Sequence, residues 1–383
     1  MKKVYLDNSA STPIDKRVLE KMIPFFREKY GNPTSIHFFG REAKDAVEHA
    51  REQIAHVIKA GPQEIYFTSG GTESDNWALT GYCLANKNKG NHIVTCEAEH
   101  PAVINTCKYL EKFGFLTTYI PIEKDGTLSI KKIDDAVKPE TILLSFMHVN
   151  NEIGTINEIQ EIGDLAKNKG IIFHSDCVQS FGKVPINVKK TNIDLISLSS
   201  HKIYGPKGMG ALFVKKGTKI DKIIHGGGNE MEMRAGTENV ASIVGFGEAA
   251  YISGKNLDKE SRSLTELRNY FHSRLKEEIE DIRINGGLEN RLPGNLNVSF
   301  ANADGESILL SLDLHGIAAS AGSACHSGSV EISPIIKALD PPHEFTQSAL
   351  RFSLGRWTTR SDIDYTVKTL KDVVSRVRNL DNI

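Results

Sequence analysis

Lys202 stands where an amine can do covalent chemistry. It falls in Asp194-Leu-Ile-Ser-Leu-Ser-Ser-His-Lys-Ile-Tyr-Gly-Pro-Lys-Gly-Met-Gly-Ala-Leu-Phe-Val214, which reads as strand, loop, strand. An amine on a rigid, hydroxyl-rich turn between apolar strands is poorly placed for solvent. It is well placed to form a Schiff base with an aldehyde.

Other residues could serve that amine. Asp176 closes an apolar run, Gly170-Ile-Ile-Phe-His-Ser175, so it sits at a strand's carboxyl end, where open α/β folds bind ligands. A buried carboxylate there needs a cationic partner, which a protonated ring nitrogen would supply; the plainer reading is a helix cap. Phe67-Thr-Ser-Gly-Gly71-Thr72-Glu73 is a strand feeding a Gly turn into a helix. Its backbone N–H groups make an anion cradle, although it is neither a Walker A loop nor a dinucleotide fingerprint. His100 follows an acidic turn at the sheet's lip and could stack on a flat ring and move protons, or simply cap. Asn150-Asn151-Glu152-Ile-Gly154 reads locally as a turn.

Cys325 lies in Ser320-Ala-Gly-Ser-Ala-Cys-His326-Ser-Gly-Ser329, among small residues that suit an exposed, reactive sulfur. Arg351 alternates with Leu350, Phe352 and Leu354, so it faces away from that apolar side and could grip a carboxylate or form a surface ion pair. His225-Gly-Gly-Gly228 and Arg234-Ala-Gly-Thr237-Glu-Asn239 form a Gly-rich stretch that could close on a site or pack on a neighbour.

The elements that must position these groups follow from short apolar runs alternating with helical patterns. Strands are expected at Ile65–Thr68, His92–Thr95, 141–147 and 170–175. Helices are expected over 73–84, 102–113 and 159–169. This predicts an α/β protein with a large, doubly wound, mostly parallel sheet. From about residue 256 a long charged helix over 258–280, a strand at 296–300 and helices at 307–316 and 361–380 predict a smaller α+β unit. The expected division is 15–255 for the large unit, and 1–14 with 256–383 for the small unit carrying the Cys325 loop.

Composition narrows the class. The chain has 383 residues, 39% hydrophobic and 25% charged, with net charge −1. That is an ordinary globular composition, and it disfavours direct nucleic-acid binding through bulk charge. No signal peptide or membrane span is expected. Five scattered cysteines without a CxxC pair argue against a disulfide framework or zinc ribbon, and place the chain in a reducing cytoplasm.

Taken in order, these motifs resemble the cysteine desulfurases of the iron–sulfur-cluster (NifS/IscS-like) branch of class V, fold-type I pyridoxal-phosphate enzymes. The resemblance runs nearly end to end, from Leu6-Asp-Asn-Ser-Ala-Ser-Thr-Pro13 through Gly31-Asn32-Pro-Thr-Ser-Ile-His37 and Ser200-His-Lys-Ile-Tyr-Gly-Pro-Lys-Gly208 to Gly322-Ser-Ala-Cys325. It implies pyridoxal 5'-phosphate held covalently on Lys202. Asp176 would bind the ring nitrogen, Gln179 and Asn151 the phenol oxygen, and His100 would stack on the ring. Gly71, Thr72, Ser199 and His201 would bind the phosphate, joined by Thr237 of a second subunit. Asn32 and Arg351 would hold the carboxylate of L-cysteine. Lys202 would remove the α-proton, and Cys325 would take the sulfur as a persulfide, releasing L-alanine. A homodimer is implied, with a sulfur-acceptor protein serving iron–sulfur assembly or tRNA thiolation.

Several positions depart from the family's habit. Ser175 and Cys177 flank Asp176, Asp75 replaces the first of an Asn pair, and His326 follows the nucleophile. The chain closes at Ile383, soon after its last helix, where the family often has a longer, scaffold-docking tail. The alternatives are another class V enzyme, such as a selenocysteine lyase or aminotransferase, and a non-enzymatic sulfur carrier. An aminotransferase has no need of Cys325, and a carrier has no need of Lys202 with Asp176.

Overall fold

A computed structural model describes residues 2–321 and 332–380. Its centre is a seven-stranded sheet in the order Ile65–Thr68, Gly210–Val214, Leu195–Ser199, Ile172–Asp176, Thr141–Ser145, His92–Cys96, Leu116–Ile120. Gly210–Val214 runs antiparallel to both its neighbours, and the other four pairings are parallel. Every residue of His92–Cys96, Thr141–Ser145 and Leu195–Ser199 is buried. That is the mark of strands covered on both faces, and it explains their unbroken apolar runs. Because the parallel strands point one way, Asp176, Ser199 and the turns after Cys96 and Ser145 gather at one edge.

A second sheet of four antiparallel strands has the order Ser320–Ala321, Leu350–Ser353, Asn295–Phe300, Ile282–Ile284. The N-terminal arm joins it: Ser353 N donates to Leu6 O at 2.7 Å, and Val4–Tyr5 pairs in parallel with Ile317–Ala318. Leu6, Phe271, Val298, Phe300, Phe352 and Val374 are among the buried side chains of this sheet's own core. Ile335, Ile336 and Leu339 instead pack into the large sheet's core.

One helix spans Val240–Glu278, beginning well before the expected 258 and crossing residue 255 unbroken. Its glycines hid this start, since Gly weakens a helical signal. Here they permit close packing. A Cβ on Gly247 would lie 2.6 Å from Ala50 Cα, and one on Gly245 would lie 2.5 Å from Met22 Sδ. Those contacts come from helices Phe38–Ile58 and Lys16–Arg27. The helical stretch after the Gly turn runs from Gly71 to Ala85 but changes to π geometry over Trp77–Gly81.

Candidate active site

Lys202 ends a short 3₁₀ turn, Ser200–Lys202, directly after strand Leu195–Ser199. Its Nζ donates to Ser9 O at 2.6 Å and Ala10 O at 2.8 Å. The N-terminal arm therefore forms one wall around the amine. The cavity beside it measures about 320 Å³ and is lined by Gly71, Thr72, His100, Asn151, Asp176, Gln179, Ser199, His201, Lys202 and Arg351, among others. Nine of these come from five separate strand ends and turns of the large sheet, so their convergence is a product of the sheet rather than of sequence proximity.

Asp176 is 8% exposed, and its Oδ1 accepts from Val178 N at 2.8 Å. Burial raises its proton affinity, while His100, Val178 N and Lys202 oppose that rise. The bond closes a local turn, not the helix start expected from the sequence, since no helix follows before Leu195–Ser199. His100 is both a cap and a wall residue. Its Nδ1 accepts from Ala102 N at 3.1 Å, which fixes the ring and assigns the proton of the neutral imidazole to Nε2. Burial lowers its proton affinity, Asp176 works against this, and Lys202 adds to it.

Gln179 Nε2 donates to the same Ser9 carbonyl at 2.8 Å, and its Oε1 accepts from Lys183 Nζ at 3.4 Å. The Asn151 carbonyl accepts from Arg351 Nη1 at 3.0 Å. Arg351 Nη2 pairs with Asp7 Oδ1 at 2.8 Å, and Arg351 is 5% exposed. It is a buried, oriented cation, not a surface ion pair. Its Nε has no partner among the described residues.

At the Gly-turn end of the cavity, Ser199 Oγ is buried without a partner among the described residues. His201 Nδ1 lies 3.2 Å from Ser11 Oγ; burial and then Lys202 push its proton affinity down to about 4. Gly71 is required by space, since a Cβ there would sit 2.6 Å from Val178 Cγ2. Glu73 binds Arg234 bidentately at 2.9 and 3.1 Å, tying the Gly turn to the Gly-rich stretch. Glu230 anchors the same stretch through Arg51 and Phe67 N. This segment is therefore pinned, not a slack connection.

Two expected site residues stand outside this wall. Asn32 is exposed, and its Oδ1 is used locally by Thr34 N and Oγ1 at 3.0 and 2.9 Å. Thr237 is exposed on this single chain. Cys325 and His326 lie outside the described residues. The other four cysteines are free and buried, and burial pushes the Cys107 and Cys177 thiols up to about 12. Sequence reading gave no role to Ser9, Ala10, Met147, Val149 or Val178, which also line the cavity. Ser9 and Ala10 fall inside the quoted Leu6–Pro13 motif, and the other three adjoin quoted residues.

Among the described residues no group of side chains is arranged to hold a metal, and no helix is long and apolar enough to cross a membrane.

The sequence model of the aminotransferase class-V family matches residues 4–366. A cysteine desulfurase IscS of Dictyoglomus turgidum is 50% identical over 379 residues, spanning 99% of this chain and 96% of its own. Another, from Methanosarcina thermophila, is 48% identical over 379 residues, spanning 99% and 94%. Among solved structures, a NifS-like protein superposes with a TM-score of 0.92 at 37% identity, over 98% of this chain and 100% of its own. SspA in complex with cysteine superposes at 0.82 with 35% identity, over 93% and 100%. Sequence, fold and site agree: the chain belongs to the aminotransferase class-V family, in its NifS/IscS-like cysteine desulfurase branch.

Proposed function

We propose that this chain removes the sulfur of L-cysteine, releases L-alanine and carries the sulfur away as a persulfide on Cys325. The carrying observation is the convergence of Lys202, Asp176 and His100 on one cavity that also presents Arg351. The residues fit pyridoxal 5'-phosphate. The buried Asp176 calls for a cation such as a ring nitrogen, and the unpartnered Ser199 Oγ beside Gly71 calls for an anion's oxygen. When bound, that cofactor supplies an electron sink for the substrate's α-carbon.

The chain's own groups do the rest. Arg351 orients the substrate carboxylate. Lys202 Nζ takes the α-proton and later returns it. Asp176 would hold the ring nitrogen as a carboxylate, and His100 would cover the ring while offering Nε2–H. In net terms the C–S bond of cysteine breaks as an S–S bond to Cys325 forms, so a thiol and cysteine become a persulfide and alanine. Asn32 would donate to the carboxylate through Nδ2, since its local turn with Thr34 uses only Oδ1.

We also assign Thr237 to a second copy's phosphate site, which makes the working unit a homodimer. The large unit is taken as 15–255, with 1–14 and 256–383 as the small unit. The persulfide passes to an acceptor protein for iron–sulfur assembly or tRNA thiolation, in a reducing cytoplasm. The test is reconstitution with pyridoxal 5'-phosphate and assay of alanine. Alanine formed from L-cysteine, with a visible band lost on Lys202→Ala, supports the reading. A chain that binds the cofactor but yields pyruvate or no alanine contradicts it.

A further inference from the structure

Asp75 is a second buried carboxyl on the floor of the cavity. It sits one helical turn beyond Gly71 and Thr72, and both it and Asp176 line the same space. It is 1% exposed, and its Oδ1 has no hydrogen-bond partner among the described residues. The nearest basic nitrogen, His174 Nε2, is 3.6 Å away, beyond hydrogen-bond range. That imidazole is already spoken for: Nδ1 meets Ser145 Oγ at 2.8 Å and Nε2 meets Ser197 Oγ at 3.0 Å. Ser197, which pairs in register with Asp176, is the hydroxyl that His174 Nε2 meets.

The charges around this pair are unequal. Asp176 faces His100 and Lys202, both of which favour its anion. For Asp75, burial and then Asp176 disfavour the anion, Ser197 works against them, and Glu99 adds to them. Burial pushes His174 down to about 3, so it brings no charge. Two buried carboxyls that line one cavity disfavour each other's charge, and the proton settles on the one without cations.

We propose that Asp75 is a positioning residue that works as a neutral carboxylic acid, leaving Asp176 the ionised carboxylate of the pair. It acts on Asp176 across the cavity that both line, and the inference rests on the proposed cofactor reading for its purpose: a single negative charge reserved for the ring nitrogen. An ionised Asp75 would double that charge, whereas an amide in its place would serve equally well.

The test uses the full chain carrying aspartate labelled with ¹³C at the side-chain carboxyl. Infrared spectra near neutral pH are taken without cofactor, then visible titrations with pyridoxal 5'-phosphate bound. A label-sensitive band of a protonated carboxylic acid is expected in the wild type and absent from Asp75→Asn. The label separates it from Glu99. Asp75→Asn should keep the wild-type pH midpoint of the visible band, while Asp75→Leu should retain cofactor less well. Absence of the band, or a midpoint moved by about one pH unit or more in Asp75→Asn, overturns the proposal. Asp75→Ser provides the same infrared comparison should the amide variant not fold. The infrared arm needs no cofactor. A chain that shows the band but never takes up pyridoxal 5'-phosphate contradicts the proposed function and leaves the protonated acid standing.

Discussion

The carbonyl of Ser9 accepts a hydrogen bond from Lys202 Nζ at 2.6 Å. Through this bond an N-terminal arm that is stitched to the small sheet also holds the amine of the large sheet. The same carbonyl takes Gln179 Nε2, so one backbone atom sets the position of two proposed cofactor ligands. Lys202→Ala should abolish the visible band of bound cofactor and lower alanine formation by about 10³-fold, the scale of a lost general base. Absorbance of the reconstituted variant and an alanine assay check this.

Arg351 presents a planar fork, with two nitrogens anchored on Asp7 and Asn151 and Nε left over. Arg351→Lys keeps the charge but loses the fork. The expected outcome is a KM for L-cysteine raised about 10- to 100-fold, as for one lost charge-assisted bond, with a smaller effect on kcat. Steady-state kinetics over a cysteine series separates the two.

Glu152 joins the turn after strand Thr141–Ser145 to Ser333, whose hydroxyl donates to its Oε2 at 2.7 Å. Burial pushes its carboxyl up from 4.5 to about 7. Between those values the folded chain holds a proton that the unfolded chain has released. Glu152 therefore favours folding at low pH, and its contribution is lost as pH rises through about 7. Glu152→Gln should match wild type in Tm near pH 4.5 and exceed it above pH 7. The difference corresponds to roughly 3 kcal/mol at most. Thermal melts across that range, with equal curves at every pH as the contrary result, decide it.

Glu230 is 4% exposed and pairs with Arg51, which is 2% exposed. Removing one partner strands a buried charge. Glu230→Ala should destabilise the fold by about 3–5 kcal/mol. Replacing both, as Arg51→Met with Glu230→Leu, should recover part of that loss. Chemical denaturation of the single and double variants measures it.

Much of this site was legible because its residues close strands or open helices. Asp176, His100 and Gly71 each sit where an apolar run stops, and such positions fall at the sheet's ligand edge. For His100 the plainer reading as a helix cap was right, and the cap also lines the cavity; Asp176 caps no helix, because only turns follow it before Leu195–Ser199. Long-range facts were not legible. Arg351 alternates with apolar residues in sequence, but its partner Asp7 lies 344 positions away. Asp75 was visible as a departure from habit, yet its burial comes from packing of its helix over Ser197. The start of helix Val240–Glu278 was hidden because Gly245 and Gly247 pay helical propensity for contact with Met22 and Ala50.

The most direct test of the account is the intact mass of the full chain after L-cysteine treatment without reductant, followed by peptide mapping. Added sulfur on the peptide containing Cys325, absent without cysteine and absent in Cys325→Ser, is the predicted result. A cofactor-loaded chain that consumes cysteine with no sulfur on Cys325 would contradict it.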